Sequence, residues 1–96
     1  MVKVNIKSST SKAKKFMAIF EYEDGKKKTI HFGSAGMSDF TKNKDPKRKD
    51  AYLARHKKNE NWEKFDTAGA LSRWILWNKE SLTESIAFYK NKFNLS

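Results

Sequence analysis

Val2, Val4 and Ile6 alternate with Lys3, Asn5 and Lys7, a period of two that predicts a β-strand with one buried face. After the polar stretch SSTSKAKK, residues 15–22 (KFMAIFEY) are apolar at nearly every position and predict a strand covered on much of both faces. Residues 27–33 (KKTIHFG) predict a third strand. Asp24-Gly25, between the last two, is a hairpin signal because glycine accepts the positive φ that tight hairpin turns require. A two-residue loop there sets Glu21 opposite Lys28, Ile19 opposite Ile30 and Met17 opposite Phe32 on one face. Phe16, Ala18, Phe20 and Tyr22 then share the other face with Lys27, Thr29 and His31.

From Asp45 onward the apolar period changes to that of helices. GSAGMSDFTKNK reads as a loop, and Asp45-Pro46 then supplies an N-cap followed by a proline at the first helical position, where its missing N–H costs nothing. The first predicted helix runs from about Pro46 to about Lys58, with Leu53, Ala54 and part of Ala51 turned to the core. Thr67 caps the second, in which Leu71, Trp74, Ile75 and Asn78 form a stripe that Trp77 falls off. Ser81 and Glu84 form a capping box for the third, with Leu82, Ile86, Tyr89 and Phe93 on one side. The expected architecture is α+β: a three-stranded antiparallel sheet followed by three helices, order βββααα, in a single domain over residues 1–96. Seven Phe, three Tyr and three Trp are enough to build a small aromatic core from few positions.

The absence of cysteine excludes a disulfide scaffold, a thiolate nucleophile and sulfur-ligated zinc. The N-terminus carries no signal-like apolar run, and nothing approaches the ~18 apolar residues of a membrane span. We expect a soluble protein that is not secreted, set inside a cell or a virion, without a membrane partner. The net charge of +10 is unevenly distributed. Residues 1–33 hold eight basic and three acidic groups, residues 42–58 eight and two, and residues 59–96 five of each. A basic excess confined to the first three fifths predicts an oriented face for polyanions, of which nucleic acid is the commonest.

Read together, HFGSAGMSDFTKNKDPKRKDAYLARHKKNENW and TAGALSRWILWNK resemble a family of small uncharacterised proteins encoded by large double-stranded DNA viruses, including algal viruses, over about His31 to Lys79. The resemblance implies a viral setting and carries no activity or binding residues with it.

Catalytic chemistry has few candidates. His31 and His56 lie on different predicted elements, Asp39, Asp45 and Asp66 lack the company of a metal site, and Asp45 is already a cap. No nucleophile and base pair up, so the sequence predicts no enzyme, no cofactor, no metal and no small-molecule substrate. Gly33-Ser34-Ala35-Gly36 has the wording of a phosphate-clamping GxxG loop, but it follows a strand rather than joining two helices, which favours a turn. The binding candidates are Lys44, Lys47, Arg48, Tyr52, Arg55 and Lys58 on or beside the first helix. There Arg48, Tyr52 and Arg55 share a face at i, i+4 and i+7. Arginine pairs with phosphate in bidentate fashion, and a tyrosine between arginines can stack on a base. Lys27 and Tyr22, with Phe20, are a second candidate, a stacking platform on the sheet whose alternative is core. The leading expectation is a nucleic-acid-binding module, DNA favoured over RNA, that contacts phosphates without reading sequence. The alternative is a structural virion or assembly protein that self-associates or meets other viral proteins through its basic face and an aromatic patch around Trp77.

Overall fold

A computed structural model describes residues 1–96. Strands β1 (Lys3–Ser8), β2 (Lys14–Glu21) and β3 (Lys27–Ser34) form one antiparallel sheet in the order β1-β2-β3. Helices α1 (Phe40–Asn43), α2 (Pro46–His56), α3 (Ala68–Leu71, continued by a π-turn over Ser72–Leu76) and α4 (Leu82–Lys92) follow. The α+β class and the strands-then-helices order are those expected, with four helices rather than three. The extra one, α1, is a single turn inside the stretch read as loop. Asp39 caps it by accepting from the Thr41 backbone N–H at 2.9 Å, and Phe40 is buried beneath it.

The β2–β3 register differs from the expected one by a single residue. Glu21 pairs with Lys27, Ile19 with Thr29, Met17 with His31 and Phe16 with Phe32. The turn is at Asp24-Gly25 as expected, but its loop is three residues long. Tyr22 and Lys26 close it with a 2.9 Å backbone bond from the Tyr22 N–H, and Gly25 stands at φ +87° in the position of a bulge. Because side chains alternate, the slip exchanges the two faces of β3 relative to β2. Phe16, Ala18 and Phe20 therefore join Ile30 and Phe32, not Thr29 and His31. With Val4 and Ile6 of β1 they form the face that the helices cover. Met17 and Ile19 sit half-buried on the uncovered face, so β2 is covered on one side only.

Ala18, Phe20, Phe32, Leu71, Ile75 and Tyr89 are all at most 1% exposed and define the core. Phe65 links sheet to helices: its ring lies 5.7 Å from Phe20 and 6.0 Å from Phe93, and its carbonyl accepts from the Tyr89 hydroxyl at 2.7 Å. Helix α4 buries the expected stripe, Tyr89 fully and Leu82, Ile86 and Phe93 in part, and Ser81 caps it through the Glu84 N–H. Thr67 caps α3 through the Ala70 N–H as expected. The π-turn then inserts an extra residue into the coil, with the Trp77 N–H bonding to the Ser72 carbonyl. That widening brings Leu76 and Trp77 to the core beside Ile75 and Asn78, so Trp77 is buried although it falls off a regular helical stripe. Ser96 exchanges backbone bonds with Val2 and Val4 along β1.

Gly33, at φ +77° within β3, is where the sheet meets the π-turn: a Cβ there would stand 2.7 Å from Leu76 Cδ1. Leu76 is 2% exposed and has little room to turn away. Gly33→Ala is therefore expected to cost about 2–3 kcal/mol from left-handed strain plus overpacking. Urea unfolding measures it, and an unchanged midpoint would show that neither effect operates.

Candidate nucleic-acid interface

Helix α2 is capped by Asp45, which accepts from the Lys47 N–H at 3.0 Å, and Pro46 opens its first turn. Its docking face is Lys49, Tyr52, Leu53 and His56, at i, i+3, i+4 and i+7, rather than the expected Leu53, Ala54 and Ala51; both alanines are exposed. Tyr52 is 9% exposed and stacks on Trp77 with ring centres 4.4 Å apart and planes 7° from parallel. It is thus a core ring and not the solvent-facing stacker expected between the arginines. Burial pushes its hydroxyl up to about 12, with the Glu60 charge adding to the effect. Lys49 is also tied inward, donating to the Asn78 carbonyl at 2.9 Å with its ammonium 5.0 Å from the Phe40 ring centre.

Arg48 and Arg55 remain exposed, two helical turns apart, on one wall of a cleft of about 750 Å³. Gly33 and Ser34 at the end of β3, the turn that follows them, Gly69 of α3 and Ser72 of the π-turn also line it. Lys14 contributes a further exposed cation at the rim. The neighbouring Lys15 is neutralised by Asp39, with Nζ to Oδ2 at 2.6 Å. His56 stands at the cleft against Tyr52, ring centres 4.1 Å apart. Its Nδ1 lies 2.8 Å from Glu60 Oε2, and Glu60 Oε1 accepts from Trp62 Nε1 at 2.9 Å. Gly33 and Gly36 both hold positive φ, but only Ala35-Gly36 forms the turn favoured for the GxxG stretch, because Gly33 and Ser34 are the last two residues of β3.

Of the residues singled out from sequence, Arg48, Tyr52 and Arg55 come together at this cleft. Lys44, Lys47 and Lys58 are exposed nearby in the chain but do not line it. Lys27 and Tyr22 do not form a joint platform. Lys27 pairs with Glu21 on the uncovered face, whereas Tyr22 stacks with Phe20 on the covered one and donates its hydroxyl to Asp66 at 2.9 Å. Phe20 itself is fully buried core. Sequence reasoning passed over Lys14, which falls in a stretch that reads as a polar loop but is the first residue of β2, and the structural place of His56. The spacing of His56 four residues after Tyr52 was the available clue. No group of three or more His, Asp or Glu side chains gathers where a metal ion could be held, and no helix is long and apolar enough to cross a membrane.

Fold and cleft together define a small basic α+β domain whose unpaired cations flank a concave site. The chain belongs to the family of unknown function DUF5754, which matches residues 4–56, from β1 to the last residue of α2. The matched span contains β2, β3, all of β1 but Lys3, and both cleft arginines. No curated protein and no solved structure matches the chain.

Proposed function

We propose that this protein is a non-enzymatic nucleic-acid-binding module, acting on DNA in preference to RNA through phosphate contacts from α2 and its flanks. One observation carries the reading. Lys44, Lys47, Arg48, Arg55 and Lys58 are all exposed, and none has a carboxylate partner, although six ion pairs form elsewhere. A folded surface that leaves five neighbouring cations uncompensated suits a polyanion, and contacts of this kind position a backbone without reading bases. The resemblance to proteins of large double-stranded DNA viruses agrees with DNA as the partner, and in this reading the protein acts in an infected cell or inside a particle. The alternative role as a structural assembly protein loses its aromatic anchor, because Trp77 is buried against Tyr52.

If five or six phosphates are neutralised on a duplex, log K falls against log salt with a slope of roughly −5. Titration of labelled duplex DNA at several salt concentrations measures it. The R48E/R55E double variant is expected to bind at least about tenfold more weakly with a slope smaller by roughly 2, and to fold normally because both side chains are exposed. Salt-independent binding, or unchanged binding by the double variant, would refute the proposal.

A further inference from the structure

We infer that the α2 cleft takes an unstacked nucleobase from a single strand, with the ring of His56 as its stacking surface. The inference rests on the nucleic-acid reading above and specifies the form of the ligand. Trp77, Tyr52 and His56 make a three-ring stack, with centres 4.4 and 4.1 Å apart and planes within 7° and 26°. The inner two rings are each 9% exposed, whereas the His56 side chain is 38% exposed at the cleft. The stack thus ends at an accessible ring where a fourth aromatic can be added. Its orientation is held in advance: Nδ1 is fixed on Glu60, and Glu60 in turn on Trp62. Ordering that ring therefore adds little cost at binding.

The surroundings fit a base with its backbone rather than a duplex. A volume of about 750 Å³ lies in the range of small-ligand sites, roughly 300–1,000 Å³. Arg48 and Arg55 line a recess here, whereas a helix that reads duplex DNA enters a major groove about 12 Å wide. Seven residues apart, they are spaced by ~10 Å along the axis, one on either side of the Tyr52 turn, and so placed for the phosphates flanking a base. Glu60, the acid at the cleft, has both carboxylate oxygens engaged. Single-strand sites of other proteins combine these same parts, a basic track and an aromatic platform.

Anisotropy titrations with a labelled oligo-thymidine and with a blunt duplex of equal length, at one salt concentration, test the inference. The single strand is expected to bind about tenfold more tightly, consistent with one stacked base. His56→Ala should abolish that margin, lowering single-strand affinity about tenfold more than duplex affinity. His56→Phe, which keeps a ring without the Glu60 bond, should retain most of it, and far-ultraviolet circular dichroism checks that both variants fold. Equal or tighter duplex binding, or a His56→Ala effect of the same size on both ligands, overturns the base site and leaves the phosphate-binding proposal standing. Absence of salt-dependent binding to either ligand overturns both.

Discussion

Asp39→Ala is expected to destabilise the protein by about 3–5 kcal/mol, the loss typical when one partner of a buried ion pair is removed. The Asp39 and Lys15 side chains are 2% and 9% exposed, and their 2.6 Å contact joins the start of β2 to the N-terminus of α1. Without the carboxylate, the Lys15 ammonium is left in a low-dielectric site with no counter-charge, and α1 loses the acceptor of its Thr41 N–H. Two further variants divide the effect. Asp39→Asn keeps an oxygen at the cap but leaves Lys15 uncompensated, so it should remain well below the parent. Adding Lys15→Met to Asp39→Ala removes the stranded charge, so the double variant should recover all but about 1 kcal/mol, the worth of the cap. Urea unfolding of the three variants measures these differences. A double variant as unstable as Asp39→Ala alone would show that the charge pair is not what the site depends on.

Stability should also collapse between pH 10 and 12. Tyr52 and Tyr22 are both pushed up to about 12, burial being the largest cause in each, followed by the Glu60 charge for Tyr52 and the hydrogen bond to Asp66 for Tyr22. Burial also pushes Tyr89 up. A tyrosine in the unfolded chain ionises near its ordinary value of 10, so the unfolded state gives up its proton first. The raised folded values therefore favour folding in full below pH 10, and that contribution is lost as pH climbs through 12. For Tyr52 the displacement corresponds to about 3 kcal/mol. Lysines lose their charge in the same range, which relieves self-repulsion and works in the opposite direction, so the comparison with Tyr52→Phe is needed to isolate the tyrosine. Urea midpoints followed from pH 7 to pH 11.5 should fall less for Tyr52→Phe than for the parent, with tyrosinate absorbance rising only as the chain unfolds. Ionisation of every tyrosine near pH 10 in a chain that stays folded would contradict the assignment.

Much of the fold is local chemistry that a reader of the chain can find. Asp45-Pro46, Thr67 and Ser81 each start a helix as expected, because a cap depends on residues two or three positions away. The turn at Asp24-Gly25 was equally visible, yet the register was not. Gly25 suits both a two-residue and a three-residue loop, and Phe16, Ala18 and Phe20 are no more apolar in pattern than Met17 and Ile19 between them. Within residues 16–20 no polar residue marks an outer face, and the packing of helices onto one side separates the two registers. The single turn of α1 escaped because four residues carry no period.

The candidate site divides in the same way. The uneven charge was determined by the sequence alone, since charge does not depend on what the chain folds against. Which α2 residues face inward was decided by tertiary structure. The π-turn after α3 swings Trp77 under Tyr52, which converts an expected solvent-facing tyrosine into core and leaves His56 as the outermost ring of the stack. Burial is a property of two surfaces meeting. Much of the surface that meets α2, Trp77 and Asn78, comes from residues more than twenty positions further along, with a helical defect that no spacing in the sequence announces.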